Sequence, residues 1–167
     1  IIKLDQEIRD ISLKDTSPGI ISDGRIVKIY SKCSSIMKKH DLGLINTLSQ
    51  VYRRNAVDLN CKRHKEIFDN FNIIPKYCFG CYKVQIELNS VVKLIKLLIV
   101  FDQIKLAGNN QRKCITEMRP EIPGFYKGII YCSSLKEGLK LADEVKIFVN
   151  ENIGSGADVA VKRGCSE

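Results

Sequence analysis

Tyr82 to Leu88 alternates strictly. Tyr82, Val84, Ile86 and Leu88 are apolar or aromatic, and Lys83, Gln85 and Glu87 between them are polar. A segment with this period buries one face and wets the other, so it reads as a half-buried strand. The residues after it continue in the same manner. Asn89-Ser90 opens an apolar helix running to about Gln103, and Gly108-Asn109-Asn110 is a turn. Lys113 to Arg119 reads as a second strand. Pro120 to Tyr126 is a loop with two prolines and Gly124, and Lys127 to Cys132 is a third strand. Ser134-Leu135-Lys136-Glu137 is a capping box, whose hydroxyl and carboxylate are spaced to satisfy backbone N–H groups. The helix it opens places Leu135, Leu139, Ala142, Val145 and Val149 on one face. Gly154-Ser155-Gly156 breaks it, and Ala157 to Lys162 is a fourth strand.

The order is therefore β-α-β-β-α-β. It implies an α+β chain with a ferredoxin-like domain, a four-stranded antiparallel sheet carrying two helices on one face. We expect that domain over residues 76–167, behind a helical segment over 1–75. A short helix with Ile2, Ile8 and Ile11 is expected within 1–15, ended by Thr16-Ser17-Pro18-Gly19. From an N-cap at Ser22 or Asp23, Ile26, Val27, Ile29, Tyr30, Cys33, Ile36 and Met37 recur at helical spacing. Leu44, Ile45, Leu48, Val51 and Tyr52 suggest a further helix, and His64, Ile67, Phe68 and Phe71 another before Pro75. Helices this short need a shared core, so they should pack on the sheet domain.

With 167 residues, 44% hydrophobic and 28% charged, the chain has the composition of a folded domain. Its most apolar stretch, Val91 to Phe101, is interrupted by Lys93 and Lys96 and is too short to span a bilayer, so no membrane partner is expected. Lys3, Asp5, Glu7, Arg9 and Asp10 crowd the start, where a secretory signal would be apolar. The odd count of seven cysteines argues against a full disulfide framework and for a reducing, cytoplasmic setting. The first residue is Ile1, and the last, Glu167, directly follows a strand-like run. The expectation is a fragment of a longer protein, with flanking domains as partners.

The cysteines carry the first functional reading. In the expected topology, strands one and two start at the sheet edge where strands three and four end. Cys78 and Cys81 precede strand one, Cys114 opens strand two, Cys132 ends strand three and Cys165 follows strand four. Cys61 and His64, one helical turn apart, lead into the same edge. Thiolates with an imidazole suit zinc, and less readily an iron–sulfur cluster. Cys61-x2-His64 with Cys78-x2-Cys81 has the paired-ligand form and resembles a zinc ribbon, without its flanking glycines and prolines. These four are the expected zinc ligands, with Cys114, Cys132 and Cys165 as further rim thiols. The site would serve structure or binding more than turnover. Cysteine is also a small core residue, and that reading is preferred for Cys33.

The alternative reading is nucleic-acid binding. The net charge is +8 and the pI about 9.1, which suits nucleic acid or a phosphorylated ligand. Lys127-Gly128-Ile129-Ile130-Tyr131 on the third strand resembles the basic-Gly-aromatic run of the RNA-recognition motif. Ile129 stands where that motif has an aromatic residue. The candidate ligand or nucleic-acid contacts are Tyr131, Lys127, Tyr126, Arg119 and Arg163. A further alternative is a ligand pocket or active site around the loop after strand two, near Glu117 and Arg119. The chain carries no P-loop, GxGxxG, GxSxG or HExxH motif.

Overall fold

The structure is a computed structural model of the chain, described over residues 6–7, 22–41, 50–53 and 61–164. Its elements are α1 (Asp23–Lys39), β1 (Gln50–Arg53), α2 (Cys61–Phe71), α3 (Lys76–Phe79), β2 (Tyr82–Leu88), α4 (Val91–Gln103), β3 (Arg112–Thr116), β4 (Tyr126–Cys132), α5 (Leu135–Asn152) and β5 (Asp158–Arg163). The chain is α+β. Four strands form an antiparallel sheet in the order β3-β4-β2-β5, and β1 extends it at the β3 edge to five.

Each expected element of the second half is present, with ends within a residue or two except for β3, which stops at Thr116. The caps explain where the helices start. Ser22, Ser90 and Ser134 each accept a hydrogen bond from the backbone N–H three residues on, opening α1, α4 and α5. The capping box at Ser134 is only half reciprocal, because the Glu137 carboxylate accepts from the Ser133 N–H at 2.7 Å rather than from that of Ser134.

The sheet sorts its residues by face. Tyr82, Val84, Ile86 and Leu88 lie opposite Cys132, Ile130, Gly128 and Tyr126. This face carries α4 and α5 and holds the core, with Leu97, Val100, Phe101, Leu141, Val145 and Val149 packed on it. Each such side chain contributes about 1.5–3 kcal/mol by leaving water. Gly128 sits under α4 because a Cβ there would fall 2.3 Å from Leu97 and 3.0 Å from Phe101. Arg112 is also buried in this layer. Its guanidinium donates to the carbonyls of Phe101, Ile104 and Asn110, tying the end of α4 to β3.

Two expectations are corrected. Residues 50–53 are a strand, not part of a helix, and pair with β3. The buried stripe of α5 is Gly138, Leu141, Val145 and Val149, while Leu135 and Leu139 are exposed. The missing side chain at Gly138, where a Cβ would lie 3.1 Å from Val161, lets the start of α5 sit close to β5 and rolls those leucines outward. In the N-terminal part, α1 buries Ile26 and packs on α4, with an ion pair between Asp23 and Lys96. Of the expected helix over 1–15, only Gln6 and Glu7 are described, in helical conformation. Leu44, Ile45 and Leu48 lie outside the described residues. Among the described residues, no helix is long and apolar enough to cross a membrane.

Candidate functional site

The strand starts and ends do meet at one edge, and some of the thiols meet there. Cys81 immediately precedes Tyr82, which is opposite Cys132. The Gly164 N–H donates to the Cys81 carbonyl at 2.9 Å. Cys165 lies outside the described residues. Cys78 is half-buried in α3, and its carbonyl accepts from the Cys81 N–H at 3.3 Å. Cys61 is exposed at the start of α2. His64 stacks on Tyr77 with ring centroids 6.2 Å apart.

Cys114 does not belong to this edge. It pairs with Gly128, four residues short of Cys132, which is about 13 Å along the strand. It is buried in the core. Burial, helped by the Glu137 charge and by Cys81, pushes the Cys132 thiol up to about 12, and its Sγ donates to the Ile130 carbonyl. A thiol held this way stays protonated at neutral pH. Among the described residues, no group of three or more His, Cys, Asp or Glu side chains is arranged to hold a metal ion.

The other face of the sheet presents a different set. Lys83 stands directly opposite Tyr131 on β4 and Lys162 on β5, so the three form one row across the sheet. Lys113, paired with Ile129 on the adjacent row, brings its Nζ to 5.7 Å from the Tyr131 ring centre. This is a cation–π contact. A cavity of about 290 Å³ opens here. Its lining includes Lys83, Lys113, Ile129, Tyr131, Glu117 and Arg119. In all, this face and the loop beside it hold Lys83, Lys113, Arg119, Lys127 and Lys162 against Glu87, Glu117 and Asp158.

Part of that charge is spoken for. Arg119 embraces Glu117 with two 2.9 Å hydrogen bonds, and Lys127 lies 3.5 Å from the same carboxylate. Gln85 donates to Glu87 at 2.6 Å, and Lys162 lies 3.5 Å from Glu87. The hydrogen bonds from Arg119 outweigh burial and hold Glu117 at about 2, against an ordinary 4.5. A folded-state value below the unfolded one stabilises the fold above about pH 4.5, and that stability fades as pH falls toward 2. Arg119 is half-exposed, so solvent screening reduces the contribution to about 1–2 kcal/mol. We therefore expect the stability gap between the wild type and Glu117→Gln to be full above pH 5 and to close toward pH 2. Urea unfolding across that range checks it.

The expected contact residues divide accordingly. Arg119 and Tyr131 line the cavity. Lys127 lies on the same face but is buried against Glu117. Tyr126 faces the helices and packs on the core, in edge contact with Phe125. Arg163 is exposed on the helix side, opposite Tyr82. The sequence reading did not single out Lys83 and Lys113 as partners of Tyr131. Their alternate positions in β2 and β3 were the available signal. The Gly128 of the motif-like run is accounted for by its packing beneath Leu97.

Comparison with known proteins adds no assignment. No family model matches the chain, and neither a curated protein nor a solved structure gives a significant match.

Proposed function

We propose that the chain is a binding module that holds single-stranded nucleic acid against the face of its sheet opposite α4 and α5. The observation that carries this reading is Tyr131 on the cavity wall with Lys113 beside its ring and the exposed Lys162 on the same face, while Lys83 between them is buried, at 3% exposure. Lysines neutralise phosphates and release counterions, and a tyrosine ring offers a stacking surface to any base. About 300 Å³ is the lower end of small-ligand sites, a size suited to one ring-bearing unit of a strand. The net charge of +8 favours the same class of partner. On this reading the β2–α4–β3–β4–α5–β5 unit is ferredoxin-like, with β1 as an added edge strand. The strand order and the placement of both helices on one face support that. Among the described residues the zinc reading has no grouped ligands to support it, and it is not carried forward.

Fluorescence anisotropy with a labelled single-stranded RNA tests the proposal. Two phosphate contacts, from Lys113 and Lys162, predict that affinity falls about 5–10-fold between about 50 mM and about 200 mM salt. Tyr131→Ala should weaken binding about 5–100-fold. Lys113→Ala should lower the salt dependence by roughly one contact. Absence of binding at low salt, or equal binding by Tyr131→Ala, would contradict it. So would a mononucleotide that competes as strongly as the strand, which would make a free nucleotide the ligand.

A further inference from the structure

We propose that α2 and the turn leading to β2 lie against the surface of an anionic lipid bilayer. The observation is an amphipathic helix that the described residues leave uncovered. None of the 11 residues of α2 is buried. Phe68, Phe71, Ile73, Ile74, Tyr77 and Phe79 are 45%, 68%, 59%, 52%, 81% and 53% exposed. Four of the chain's twelve Phe and Tyr residues therefore stand in the open within a short stretch. Isolated exposed apolar residues are ordinary on a protein surface, but a contiguous set this large marks a contact surface.

The charges indicate the occupant. At 3.6 residues per turn, Ile67, Phe68 and Phe71 share an arc about 100° wide. Arg63 and Lys65 fall on its two borders, and Lys76 follows in the turn. Glu66 and Asp69, the acidic residues of the segment, fall on the far side with Lys62. The apolar surface is thus bordered by bases, with the acids turned away. This is the pattern that suits a headgroup layer. Phenyl and phenol rings settle at the acyl boundary, and Arg and Lys stems run alongside them to reach lipid phosphates and carboxylates. The contact lies on the bilayer surface and needs no spanning helix. None of these residues lines the cavity beside Tyr131.

Sedimentation of the full chain with vesicles tests this. Phosphatidylcholine vesicles containing phosphatidylserine should pellet the protein at least about tenfold better than phosphatidylcholine alone, and salt should reduce the effect. The charge-neutral double variant Phe71→Ser/Phe79→Ser should lose vesicle binding with an unchanged thermal midpoint, because both side chains are exposed. Arg63→Gln/Lys65→Gln should weaken binding only to the serine-lipid vesicles. Three results would overturn the proposal. One is failure to pellet with either vesicle, and another is undiminished pelleting of Phe71→Ser/Phe79→Ser. The third is a solution dimer that this variant dissolves, which would make a second copy of the chain the occupant.

Discussion

Replacing Arg112 with methionine is expected to cost about 3–5 kcal/mol of stability. Arg112 is 1% exposed. Its Nη1 donates to the carbonyls of Phe101 and Ile104 at 2.9 Å, and its Nε to that of Asn110 at 3.1 Å. The last carbonyls of a helix have no partner within it, and Arg112 supplies one from the neighbouring strand. Methionine fills much of the same volume, so the loss comes from stranded acceptors and not from a cavity. In urea, the Arg112→Met midpoint should fall sharply with an unchanged slope. An unchanged midpoint would mean that the end of α4 is held by something else.

Asn110→Asp is expected to cost about 3 kcal/mol or more at neutral pH. The Asn110 amide is buried and donates in two directions, to the Tyr131 carbonyl at 2.9 Å and to the Glu137 carboxylate at 2.7 Å. Burial pushes the Glu137 carboxyl upward, but hydrogen bonds from Asn110 and Ser133 prevail and hold it below its ordinary value. An aspartate at 110 would place an acceptor against both partners and a like charge against Glu137. One carboxyl of the new pair would then bind its proton more tightly in the folded protein than in the unfolded chain. The sign follows. The deficit should be largest at neutral pH and shrink below about pH 5 as that proton is taken up. Thermal unfolding of Asn110→Asp and Asn110→Ser side by side checks it, since only the aspartate should recover with acid. Because Asn110 holds the backbone of Tyr131, the aspartate should also weaken RNA binding.

Much of the fold was legible because local signals agreed. Alternation in Tyr82–Leu88, serine caps ahead of α4 and α5, and glycine-bearing turns all indicated the same order of elements. The short strand Gln50–Arg53 was not legible. Val51 continues an apolar spacing that fits a helix, and only the open edge of β3 makes the segment extended, placing Val51 opposite Cys114. Nor was the roll of α5, which is set by the close approach at Gly138 and not by the leucine stripe.

The candidate site was legible only in part, because register is not written in one strand alone. Cys114 comes near the start of β3, yet β4 continues four residues beyond Gly128, its partner. That offset removes Cys114 from the edge where Cys81 and Cys132 meet. The same ladders put Lys83 and Tyr131 side by side although 48 residues separate them in the chain. Their sequence positions place Lys83 among the polar residues of its strand but, with Ile129 and Ile130 adjacent, leave the side of Tyr131 open. They do not show that the two share a row.

A titration of 15N-labelled protein with single-stranded RNA, followed by amide chemical shifts, tests the central claim most directly. The shifts should gather at Lys83, Lys113, Arg119, Ile129 and Tyr131, with Leu141 and Val145 in α5 unmoved. Shifts confined to the helix layer, or none at saturating RNA, would contradict it.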